Sequence, residues 1–334
     1  MSVELMLECA YWAQNQSSYQ AAEETIKRIF GLSINDDTIR FVTNEIGRIV
    51  FENDCRQAEK ALAQYDACRI SFPRNRNGVL YIELDGAALN TRHRNDEGSS
   101  WRENKLGIVF SSNDIRYYRH SKSGQLQHRL ERREYVAYLG GVTEFKKHLL
   151  RCALRNGYGK FKKTVVLSDG ATWIARPAQE LFPGAIHILD FFHLCENVYS
   201  YAKELFGLDE KKYTPWAERI CKMLREGRSA AVLQELEARP LPKERKCVDL
   251  PRYIKFHQDH IDYPSYVKQG LFIGSGAIES GNKVVLQRRL KQAGMRWEPE
   301  TAQYLLTLKS KVESGLWETE VVPLVREHYA TKPV

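Results

Sequence analysis

Val79-Leu-Tyr-Ile-Glu-Leu-Asp85-Gly86 decides the fold. A β-favouring, mostly apolar run leads straight into an aspartate and a glycine, and Leu167-Ser-Asp169-Gly170 repeats that ending after the apolar run 164–167. Ligands of an open α/β sheet collect at the carboxyl ends of its strands, so two aspartates arriving there on neighbouring strands would face each other. Such carboxylates repel one another unless a hard cation lies between them. An all-oxygen donor set suits two Mg²⁺ or Mn²⁺ ions better than zinc. Two such ions can activate an attacking hydroxyl and stabilise a leaving oxygen at phosphorus. Taken singly, each Asp-Gly is more often a turn than a ligand.

Working outward, 106–110 and 115–118 read as strands joined into a hairpin by Ser111-Ser-Asn-Asp114. A helix at 143–155 closes at Asn156-Gly157, a second helix covers 173–181, and a strand at 185–189 leads to Asp190, which caps a helix from Phe191 to about Phe206. The order is β-β-β-α-β-α-β-α, an α/β class with a mixed sheet and flanking helices. Residues 207–270 carry only helical periodicity, broken by Pro215, Gly227 and the prolines 240, 242 and 251, which predicts an all-helical insertion. Gly274-Ser-Gly276 then opens a helix bearing Glu279, the candidate third carboxylate. Lys283 follows one turn later; a surface Glu-Lys pair is the alternative. The expected divisions are a helical region at 1–72, the core at 73–206, the insertion at 207–270, the last core helices at 271–317 and a tail at 318–334. Pro73-Arg-Asn-Arg-Asn-Gly78 reads as a turn-rich linker into the core.

In the first region Tyr19, Ala22, Ile26, Ile29 and Phe30 form one helical stripe, and Ile39, Val42 and Ile46 form a second. Helix, turn, helix outlines a DNA reader that would offer Arg40 and Asn44 to bases, although a hairpin packed on the next domain explains the pattern as well. Charge supports a polyanionic partner. The chain is +8 overall, residues 116–163 hold 13 Lys/Arg against three Glu, and Lys283, Arg288, Arg289, Lys291 and Arg296 form a second run without an acid. Seven scattered cysteines write neither a disulfide framework nor a zinc knuckle. No long apolar run predicts a membrane span, so a soluble, cytoplasmic protein associated with the nucleoid is expected.

Tyr81-Ile-Glu-Leu-Asp-Gly86, Lys105-Leu-Gly-Ile-Val-Phe110, Leu167-Ser-Asp-Gly-Ala-Thr-Trp-Ile174, Leu181-Phe-Pro-Gly-Ala185 with Asp190-Phe-Phe-His193, and Gly274-Ser-Gly-Ala-Ile-Glu279 with Arg289-Leu-Lys-Gln-Ala-Gly-Met-Arg-Trp297 together resemble bacterial insertion-sequence transposases of the ISKra type, relatives of Mutator-like elements. The match spans roughly residues 15–317. The resemblance implies an RNase H-like core with a DDE triad on Asp85, Asp169 and Glu279. It further implies cleavage and strand transfer at double-stranded element ends and target DNA, and a homo-oligomer assembled on DNA. Asp190 and His193 would be accessory, and Arg288, Arg289, Lys291, Arg296 and Trp297 would contact DNA. Asp190 competes with Asp169 as second ligand; its fitness as a helix cap, with Phe191 and Phe192 expected to be buried, favours Asp169. Similar transposases often have a longer N-terminal region, so a truncated copy that only binds DNA, or a structure-specific nuclease, are the alternatives.

Overall fold

β1 (Arg76–Asn90) and β2 (Trp101–Ser111) pair antiparallel along their whole upper length, from Leu80↔Ser111 to Asn90↔Trp101. The first strand therefore does not end at Asp85. It continues because Trp101-Arg-Glu-Asn-Lys105, polar enough to read as loop, supplies backbone partners for residues 86–90. The computed structural model describes residues 1–68, 75–96, 98–239 and 246–331. The start of the expected linker, and Pro240 and Pro242, lie outside them; residues 76–78 of that linker are already strand.

A second correction concerns the third strand. β3 (Ile115–Arg119) does not pair with β2. It pairs with β4 (Leu126–Leu130) in a separate two-stranded ribbon. β5 (Glu134–Leu139), absent from the sequence reading, takes the place beside β2, alternating buried Tyr135 and Ala137 with partly exposed neighbours. With β6 (Phe161–Ser168) and β7 (Ile186–Leu189), paired in parallel, the main sheet runs β5-β2-β1-β6-β7. The protein is thus a mixed α/β structure with a five-stranded mixed sheet.

The chain divides into two compact units, one of residues 1–164 with 277 onward, the other of residues 165–276. In the first, α1 (Val3–Asn15), α2 (Tyr19–Phe30) and α3 (Asp36–Cys68) build a helical core with α13 (Pro299–Glu313) and α14 (Val322–Ala330). Ile39, Val42 and Ile46 are buried as their spacing requires, whereas Ile29 and Phe30 are exposed. α3 runs 33 residues, far longer than a recognition helix needs. Of the stretch read as a tail, residues 318–330 are helical, and Val321 and Val325, with Trp317 just before it, bury themselves in this core. α4 (Val142–Arg155) packs on β5 and α3.

In the second unit α5 (Thr172–Leu181) and α6 (Phe191–Phe206) follow β6 and β7, as the pattern predicts. Between 207 and 270 the described residues form α7 (Glu210–Arg225), α8 (Ser229–Glu237), α9 (Leu250–Phe256) and α10 (Tyr263–Lys268). Pro215 is the sixth residue of α7, where little of the hydrogen-bond ladder precedes it. Among the described residues no helix is long and apolar enough to cross a membrane.

Candidate functional site

Glu83 and Asp85 lie two residues apart on one strand, hence on one face, and that face is covered by the segment carrying Glu279. This segment is α11 (Gly276–Gly281), a π-helical turn at 282–287 and the short α12 (Arg288–Leu290). Glu83 is 1% exposed and accepts the Ile278 N–H at 2.8 Å, capping the helix from the strand below. A buried carboxylate is tolerated there because the first-turn amides of a helix lack intrahelical partners and carry partial positive charge. One turn on, Asn282 donates its amide to Oδ2 of Asp85, 197 residues away in sequence, while Oδ1 of Asp85 accepts its neighbour's Gly86 N–H at 2.7 Å. Two strand residues span about 6.6 Å and four helical residues about 6 Å, so the two anchors match in length and hold the helix along the strand.

Gly281 is what lets the helix come this close. A Cβ there would meet Cε1 of Tyr135 at 2.7 Å and Cδ2 of Leu106 at 3.4 Å. Sequence reasoning missed Glu83, Gly281 and Asn282. The signal was present in Glu83-Leu-Asp85, whose two acids share a face, and in Glu279-Ser-Gly-Asn282, whose glutamate and asparagine are one turn apart.

Glu279 itself is exposed and, among the described residues, makes no ion pair within 4.0 Å, so the alternative surface pair with Lys283 is not formed. Asn282 is 5% exposed, yet its Oδ1 has no hydrogen-bond partner. A buried amide oxygen left unpaired beside a carboxylate is a donor arrangement that suits a hard cation or its bound water. Among the described residues, no group of three or more His, Cys, Asp or Glu side chains stands in metal-holding array. Asp85 and Asn282 are the oxygen donors that this unit brings together.

In the second unit the Ser168↔Leu189 register puts Asp169 and Asp190 side by side at the carboxyl ends of β6 and β7. Their roles differ. Asp190 is wholly buried; its Oδ1 accepts the N–H groups of Phe192 (2.6 Å) and His193 (3.0 Å), and its Oδ2 accepts the Ser275 N–H at 2.5 Å and the Ser275 hydroxyl. Freeing it for a ligand would strand these donors, at about 1–3 kcal/mol each. Phe191 is buried as expected, but Phe192 is 60% exposed. His193 faces Glu196 at 3.2 Å.

Asp169 is half-buried, and its Oδ1 accepts the Ala171 N–H at 2.9 Å. The Asp169 carbonyl accepts the Tyr253 hydroxyl at 2.6 Å, and burial, reinforced by the Asp169 and Asp190 charges, pushes that phenol's pKa up. Gly170 closes the turn at φ +82°, and a Cβ there would strike Tyr253, Leu189 and His257. Burial, with His260 nearby, depresses the His257 pKa to about 4, so this packing is neutral near pH 7.

No family model and no curated protein matches this chain.

The remaining expected DNA contacts separate by accessibility. Lys283, Arg288, Lys291 and Arg296 are exposed. Arg289 is instead 1% exposed. Its guanidinium lies 4.5 Å from the Tyr19 ring and 5.2 Å from the Trp297 ring, and its Nε donates to the Ala13 carbonyl at 2.9 Å. Arg289 thus ties α12 to the N-terminal helices, and the Trp297 indole N–H donates to the Leu290 carbonyl at 2.9 Å. Arg40 pairs with Asp37 at 2.7 Å, and Asn44 is only partly exposed, with a buried, unpartnered Oδ1.

Proposed function

We propose that this chain is a DDE-type, RNase H-like DNA transposase of the insertion-sequence class, acting through Asp85, Asp169 and Glu279 on double-stranded element ends and target DNA. The observation that carries the reading is the double tether, Glu83 to Ile278 and Asp85 to Asn282, which brings the Glu279 helix against the strand of Asp85. The strand order β5-β2-β1-β6-β7 supports it, since the strands run third, second, first, fourth, fifth along the sheet.

In this reading Asp85, Asp169 and Glu279 hold two Mg²⁺ or Mn²⁺ ions, with the Asn282 amide oxygen an additional donor. When bound, the ions supply charge stabilisation for in-line displacement at phosphorus. The chain's own residues orient the site. Asn282 fixes the Asp85 carboxylate, Glu83 fixes the start of the helix, and Asp190 holds the β7–α6 corner against Ser275. Lys283, Arg288, Lys291 and Arg296 hold phosphates, and the working complex is a homo-oligomer assembled on DNA.

The exposed setting of Glu279 favours a second reading, a protein that occupies DNA without cutting it. Incubating the full chain with Mg²⁺ and duplex carrying the ends of its own element separates the two. Nicking plus joining supports the transposase, nicking alone a structure-specific nuclease, and salt-sensitive binding without either the second reading. Asp85→Asn, Asp169→Asn and Glu279→Gln should each abolish cleavage and retain DNA binding. Full cleavage by Asp169→Asn would remove that ligand from the assignment.

A further inference from the structure

The β3–β4 ribbon is not used by the site described above. Its strands pair only with each other, from Ile115↔Leu130 to Arg119↔Leu126, and its tip closes through Gly124 at φ +66°. An isolated two-stranded ribbon is marginal in water, and this one keeps large side chains in solvent: Tyr117 is 56% exposed, Tyr118 44% and Leu126 65%. Ile115 and Leu130, at its base, and Gln127 are partly covered; the other ribbon residues are exposed.

The register sorts the side chains. Residues opposite one another share a face, so Arg116, Arg129, Tyr118 and Gln127 form one polar face, while Tyr117, His128 and Leu126 lie on the other. Arg116 stands directly across from Arg129. Like charges so placed repel, and among the described residues their one acidic partner within 4.0 Å is Glu131, 3.4 Å from Arg116. Arg129, Lys122 and Arg132 have no acidic partner within 4.0 Å among the described residues. Over residues 115–133 six Lys/Arg meet a single acid, Glu131. A paired-arginine face carrying a tyrosine and a glutamine has the chemistry of phosphate contact plus base-edge hydrogen bonding.

We propose that the β3–β4 ribbon is a duplex-DNA-binding arm that enters the major groove with its Arg116/Arg129 face. The inference rests on the DNA-directed function proposed above and adds the surface that engages the duplex. Charge complementarity selects a polyanion, and shape selects B-form duplex. A major groove about 12 Å wide admits a two-stranded ribbon, whereas the deep, narrow major groove of A-form RNA does not. Five residues per strand reach about 17 Å, half a helical turn of DNA.

The test uses the full chain, a fluorescein-labelled duplex of about 30 base pairs and a NaCl titration of the binding constant. Arg116→Gln/Arg129→Gln should lower the salt slope by about 1.8, at about 0.9 per lost phosphate contact. Without DNA the same variant should melt no lower than the parent, because a repulsion is removed; this separates lost binding from lost folding. Tyr118→Ala should weaken duplex binding without changing the slope. A parent that binds duplex while Arg116→Gln/Arg129→Gln keeps the parent's slope overturns the arm and leaves the functional reading intact. A parent that binds no duplex overturns both. Loss confined to single strands, RNA or phosphatidylserine vesicles would assign the ribbon a different partner and overturn the proposal.

Discussion

Replacing Gly281 by alanine tests whether close approach of the Glu279 helix to the sheet organises this half of the site. Two effects oppose each other. Gly281 has helical backbone angles (φ −56°, ψ −48°), and alanine in a helix interior is favoured over glycine by about 1 kcal/mol. Against this, the new Cβ would lie 2.7 Å from Cε1 of Tyr135, and ordinary contact needs roughly another 0.8 Å. Tyr135 has little room to yield: it is 6% exposed and its hydroxyl accepts from Arg133 Nε at 3.0 Å. The helix is tethered on both sides of position 281. Overpacking of this kind costs about 1–3 kcal/mol, so Gly281→Ala should destabilise by up to about 2 kcal/mol net. In a Tyr135→Leu background the obstructing ring atom is gone, and the same change should become stabilising by up to about 1 kcal/mol. Urea denaturation of the four proteins of this cycle measures both signs. A stabilising Gly281→Ala with Tyr135 intact would refute the tight approach and the geometry built on it.

Acid should weaken the fold before its carboxylates are protonated. Burial lowers the pKa values of His148 and His257 to about 4, so each is neutral when folded and charges near pH 6.5 when unfolded. Below pH 6.5 the unfolded chain binds the extra protons. Stability therefore falls between pH 6.5 and 4, by at most about 3 kcal/mol per group, and these groups add no further loss below that. His148→Gln should flatten this window in urea midpoints taken from pH 7 to pH 4. Glu320 works lower. Although burial opposes it, Arg155 and Lys311 bring its pKa down to about 2, so its contribution is present above pH 4.5 and lost as pH falls through 2. Arg289→Leu should retain stability, since among the described residues the buried guanidinium makes one hydrogen bond and no ion pair, and should leave the salt dependence of DNA binding unchanged. Arg288→Gln should reduce the salt slope by about 0.9; equal slopes for Arg288→Gln and the parent would take Arg288 off the DNA surface.

Local pattern alone was enough for β6, β7, α4 and the Asp190 cap of α6, because each depends on periodicity or on an N-cap side chain within three residues of its partner. The α/β class follows from the same runs. Partner choice was not legible. Residues 101–105 are polar and become strand only because β1 lies beside them, and 115–118 look like a sheet strand until 126–130 and 134–139 compete for the pairing. Arg289 reads as a surface cation because the rings that bury it come from positions 19 and 297. Asp85 and Glu279 could be named as acids from the sequence, but the positions of Glu83, Gly281 and Asn282 that join their strand and helix are set by contacts some 195 residues apart. Short-range sterics and hydrogen bonding wrote the elements into the sequence; which surfaces meet was decided by long-range burial, which no local window contains.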